Sequence, residues 1–226
     1  MAEMKTAERP DAREVIERYG RCLELVPMDE SFHDMSVGLY VKDGICTVWT
    51  FSRQPGVDDR IEQIRDRMVS LGGLAPVEGA RNQVRFECGH LHTRPIRFLM
   101  AQSVGKARGY AQPRGDMSIK DSKTALILSV SGRDHEGHWV YEVSGEGEAQ
   151  NVALRLRMVV AGFVRYGEME KVSDTEVSFP CGRRHDELMR LLLPYSRNVS
   201  AVENMMEAEA LRGQMTTGTL GFTPPT

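Results

Sequence analysis

The chain has 226 residues, enough for one large domain or two small ones. Its formal net charge of −3 and pI near 6.1 lack the basic excess of a nucleic-acid footprint. No uninterrupted apolar run approaches the length of a membrane span, residues 1–13 lack the apolar centre of a secretory signal, and four cysteines are too few for a disulfide framework. The expectation is a soluble cytoplasmic protein with no nucleic-acid and no membrane partner.

Taken in chain order, residues 11–26 carry Ala12, Val15, Ile16, Tyr19, Leu23 and Val26 on one stripe, which predicts a helix stopped by Pro27. Strands follow at 36–41 and 45–52, joined by Lys42-Asp43-Gly44, whose Asp-Gly suits the positive φ of a hairpin turn. Val57, Ile61, Ile64, Met68 and Leu71 predict a helix over 57–72, with Gly72-Gly73 as its stop. A second hairpin is expected from 74–78 and 83–88. A helix is expected over 93–104, with Ile96, Leu99, Met100 and Val104 inward and Pro95 in its first turn. Residues 105–122 have no period and hold Gly105, Gly109, Pro113 and Gly115, which reads as a linker.

Beyond it come strands at 124–131 and 138–144, a helix at 148–161, a hairpin from 163–169 and 175–180, and a helix at 185–194 ended by Pro194. A last amphipathic helix is expected over 200–212, with Val202, Met205, Met206 and Leu211 on its apolar side, followed by a flexible Gly- and Pro-containing tail. The thirteen methionines read as adaptable core filler.

This order repeats. Val84-Arg85-Phe86-Glu87-Cys88-Gly89-His90-Leu91-His92 returns as Val177-Ser178-Phe179-Pro180-Cys181-Gly182-Arg183-Arg184-His185, both copies reading V-x-F-x-C-G-x-x-H. Upstream, Trp49 and Phe51 align with Trp139 and Tyr141, and Arg65, Arg67, Met68 and Val69 with Arg155, Arg157, Met158 and Val159. The expected class is α+β: two tandem pseudo-symmetric modules of strand-strand-helix-strand-strand-helix with antiparallel sheets, flanked by N- and C-terminal helices. The boundaries are 1–104 for the N-terminal helix and first repeat, 105–122 for the linker, 123–199 for the second repeat, and 200–226 for the last helix and tail.

With its N-terminal helix, this order resembles the layout of the YbjN and type III secretion chaperone-like fold. The passage Arg155-Leu156-Arg157-Met158, Gly162-Phe163 and Val177-Ser178-Phe179 looks like that group's helix-to-hairpin step. The resemblance implies a non-enzymatic, partner-binding scaffold in which tandem repetition replaces a homodimer. It carries no functional residue across.

The repeated motif admits four readings. In the simplest, Phe86 and Cys88 share one strand face, as do Phe179 and Cys181; all four are core, Gly89 and Gly182 turn the chain, and His92 and His185 serve local polar groups. Alternatively Cys88, His92, Cys181 and His185 form one Cys2His2 zinc site, which requires the two copies to converge. A third reading uses helix starts carrying His90, His92 and Arg94, and Arg183, Arg184 and His185, to bind an acidic ligand. The fourth makes each cysteine a nucleophile with a histidine base, as in a two-cysteine, cofactor-independent racemase.

No G-x-G-x-x-G, Walker-type, H-E-x-x-H or G-x-S-x-G pattern occurs. Asp134-His135-Glu136-Gly137-His138 reads as a solvated turn with no counterpart in the first copy, and Trp49 and Trp139 as anchors of equivalent cores. The sequence favours a non-enzymatic binding scaffold or chaperone-like adaptor with a protein or small acidic ligand as partner, acting as a monomer with pseudo-dimeric repeats or as a homodimer. The alternative is a metal-dependent or two-cysteine small-molecule enzyme.

Overall fold

The computed structural model describes residues 11–28, 32, 35–105, 117–121, 125–147 and 152–197. Among these residues it has five helices and two antiparallel five-stranded sheets, an α+β architecture. The chain divides into two units: residues 1–111 with 185–188, and residues 112–184 with 189–226. The helix expected over 200–212, the tail and most of the segment read as a linker lie outside the described residues.

In the first unit, α1 spans Ala12–Tyr19, with the Asp11 carboxylate accepting the Arg13 N–H at 3.1 Å as its cap. The stripe read over 11–26 does not continue as helix. Gly20 turns the chain at φ 87°, where a Cβ would strike the Val41 carbonyl, and Arg21–Pro27 becomes strand β1. Its Leu23-Glu24-Leu25 alternation serves a strand, and pairing with β2 (Ser36–Lys42) decides the outcome.

Strand β3 (Ile45–Trp49) closes a hairpin on β2 through Asp43 and Gly44, at φ 52° and 75°. Helix α2 (Val57–Gly72) follows, then β4 (Ala75–Pro76), β5 (Gln83–Arg85) and α3 (Thr93–Val104), giving the sheet order β1-β2-β3-β5-β4. Val37, Leu39, Val48, Ile64, Met68, Val84, Ile96 and Leu99 form the buried core.

Within the segment expected to be a linker lies a strand of the second unit, β6 (Ser118–Lys120), paired with β7 (Ile127–His135). Then come β8 (His138–Glu146), α4 (Val152–Gly167), β9 (Glu170–Lys171), β10 (Glu176–Ser178) and α5 (Asp186–Ser196). The sheet order is β6-β7-β8-β10-β9, the same pattern as in the first sheet. The strand expected over 163–169 is mostly the last turns of α4. Pro194 lies inside α5 rather than ending it, close enough to the C-terminus that its missing N–H removes a bond only from the last turn. Buried Asp121 receives two bonds from Arg155, at 2.7 and 3.0 Å, tying the end of β6 to α4.

Strand register corrects the alignment read from the sequence. Val84 pairs with Cys46, and Val177 pairs with Tyr141, so Cys46 and Tyr141 hold corresponding positions. Trp49 therefore does not correspond to Trp139. Neither Trp is buried, so neither anchors a core; Trp139 lies under the Arg184 guanidinium at 4.9 Å, and Trp49 meets Tyr19 and Phe51. The helices shift likewise. Gly73 and Glu168, both left-handed at φ 62° and 53°, follow the last residues of α2 and α4, which sets Met68 against Phe163 rather than Met158. The His-containing turn does have a counterpart: Glu136-Gly137, at φ 53° and 84°, is the same two-residue turn as Asp43-Gly44. Among the described residues no helix is long and apolar enough to cross a membrane.

Candidate metal centre

The two motifs build the same turn. In each, the Phe carbonyl accepts the N–H of the Gly after the Cys: Phe86 from Gly89 at 3.1 Å, Phe179 from Gly182 at 2.8 Å. Both glycines are left-handed, at φ 75° and 65°, a conformation costly for other residues. A Cβ on Gly182 would also come within 2.6 Å of His138 Nδ1.

The turn lifts the cysteines off the strand. β5 ends at Arg85 and β10 at Ser178, so Cys88 and Cys181 lie beyond the strand ends and do not share a strand face with their Phe neighbours. Phe86 and Phe179 are buried, while both cysteines are half-exposed. The reading of all four as core residues therefore fails at the cysteines. His92 and His185 stand just before α3 and α5 rather than inside their first turns.

Cys88 Sγ lies 3.3 Å from His92 Nε2. His92 and His185 meet edge to face with ring centroids 4.7 Å apart, and Phe86 packs against both rings, at 4.8 and 6.1 Å. Cys88, His92 and His185 all belong to the first unit. Cys181 precedes His185 by four positions, as Cys88 precedes His92. Within the first unit, the ligand atoms of Cys88, His92 and His185 lie within 4.8 Å of one another.

Electrostatics suit neutral imidazoles. Burial, with His185 and His90 nearby, lowers the His92 pKa to about 4; burial also lowers that of His185, against the opposing charges of Glu187 and Asp186. A neutral imidazole offers the lone pair a metal needs. The Arg183 N–H donates to Cys181 Sγ at 3.4 Å.

The six side chains of the anion-binding reading have different surroundings. His92 and His185 enter the cluster as neutral rings. His90 Nδ1 faces the Cys88 carbonyl at 3.2 Å, Arg184 covers Trp139, Arg183 is exposed and Arg94 is half-buried. The Phe86 wall against the two imidazoles is a feature that sequence reasoning assigned only to the core; an aromatic two residues before the Cys was its one signal. The chain matches no protein-family model, no curated protein and no solved structure.

Proposed function

We propose that this protein is a zinc-binding, non-enzymatic scaffold that recognises a protein or small acidic partner, with Cys88, His92 and His185 of the first unit as zinc ligands. The observation that carries the reading is the mutual approach of one sulfur and two nitrogen donors within 4.8 Å. Zinc–sulfur and zinc–nitrogen bonds of roughly 2.3 and 2.0 Å give a tetrahedron with edges of about 3.5 Å. The Cys88–His92 separation of 3.3 Å is close to such an edge. A thiolate and two imidazoles without a carboxylate favour zinc over calcium or magnesium, which take oxygen donors. The repeated strand-strand-helix order adds support for the partner-binding scaffold implied by the chaperone-like layout.

A second reading keeps the same atoms as thiol–imidazole pairs for nucleophilic or acid–base chemistry, supported by the Cys88–His92 contact. Metal content separates the two. Protein purified without a metal-affinity tag should hold about one zinc per chain by elemental mass spectrometry. The Cys88→Ser, Cys181→Ser double variant should hold none, and cobalt in place of zinc should give the strong d–d bands of a tetrahedral thiolate site. A folded, metal-free protein that takes up neither ion would overturn the zinc reading and favour the thiol–imidazole one.

A further inference from the structure

We propose that a metal held by Cys88, His92 and His185 keeps one coordination position for a ligand from outside the chain, and that a carboxylate of the acidic partner fills it; this rests on the zinc reading above. All three donors belong to the first unit. Cys88 and His92 flank the left-handed Gly89, with Sγ 3.3 Å from Nε2. His185 meets His92 edge to face, with ring centroids 4.7 Å apart. Three protein donors leave one corner of zinc's tetrahedron to a water or another outside ligand. His92 is buried, and Phe86 packs against both imidazoles at 4.8 and 6.1 Å, which closes that side. Cys88 and His185 are half-exposed, so the triad borders solvent. Asp186 and Glu187 follow His185 directly, yet neither is among the clustered donors.

Charge selects the outside ligand. A divalent metal meets one thiolate and two imidazoles, and imidazole ligates as the neutral ring. One positive charge is therefore left uncompensated. Beside the apolar Phe86 ring it is poorly screened, so an anion gains more there than a neutral donor does. A carboxylic acid is already ionised at neutral pH, whereas an incoming thiol must first lose its proton. Carboxylate oxygen is also an ordinary zinc donor. A small acid and an Asp or Glu side chain of a partner protein present the same atoms.

The test uses full-length protein loaded with cobalt or zinc in a buffer free of carboxylates. The cobalt bands should shift saturably with acetate and with N-acetyl-glutamyl amide, whose one acid is the side chain, at unchanged metal content. Acetamide, of the same shape without the charge, should leave them in place. Acetate should raise the Tm of the zinc-loaded protein and leave that of the metal-free protein unchanged. Tighter binding of the glutamyl probe points to a protein side chain as the source, and tighter binding of acetate to a small acid. Bands that ignore both carboxylates, or that vanish because the metal is stripped, overturn the open position while leaving the zinc reading intact. So do bands that respond only in Cys181→Ser, which would mean that a protein ligand already holds the position. A chain that takes up neither metal overturns both readings.

Discussion

His92 is 4 % exposed, and its surroundings hold it neutral on folding. Above its unfolded value of 6.5 the ring is neutral in both states and contributes no pH dependence. As pH falls below that value, the unfolded chain takes up a proton that the folded chain excludes. Stability is therefore lost progressively until the folded value of about 4 is reached. His185 acts in the same direction more weakly, since Glu187 and Asp186 pull its pKa upward. Metal-free protein should show a urea midpoint that falls between about pH 7 and about pH 5, and His92→Phe should flatten that fall. A His92→Phe variant with the native slope would show that this ring is not the group refused its proton.

One corresponding position is filled differently after two helices: Gly73 after α2 and Glu168 after α4, both left-handed. At Gly73 a Cβ would lie 2.9 Å from Glu187 Oε2, so Ala meets both an unfavourable φ and a close oxygen. Gly73→Ala should destabilise the protein by about 1–2 kcal/mol in urea denaturation. An unchanged midpoint would mean that α2 ends without the left-handed residue. Such punctuation also explains what the sequence made legible. Helices 57–72 and 93–104 are as read, because their apolar period is bounded by Gly72-Gly73 on one side and opened by Pro95 on the other. The first helix was overextended because Leu23 and Val26 continue its stripe, while β2 pairing recruits those residues into a strand. Helix α4 runs past its expected end at Ala161 because Gly162 has a packing role: a Cβ there would meet the Ser196 backbone at 2.6 Å. The candidate ligands were visible through repetition of C-G-x-x-H. The approach of His185 to Cys88 and His92 was not, because it depends on packing between segments far apart in sequence, and no local spacing encodes that.

For the whole molecule, a ligand that binds only the folded chain stabilises it by mass action. Zinc at a thousandfold excess over its dissociation constant should add about 4 kcal/mol, which for a chain of this size raises Tm by roughly 10 °C. The effect is specific to the ion's chemistry. Magnesium and calcium seek carboxylate and carbonyl oxygens, and the clustered donors of Cys88, His92 and His185 are sulfur and nitrogen. Thermal scans should therefore rise with zinc, stay flat with magnesium and fall back with a chelator. The Cys88→Ser, Cys181→Ser chain should lose the response to zinc while keeping a cooperative transition, since neither side chain belongs to the buried core. Acid should weaken the zinc response, because protons compete for imidazole and thiolate donors. A zinc-dependent rise that persists in the double variant would place the responsible ligands elsewhere, with His135 and His138 at the β7–β8 turn the first residues to replace.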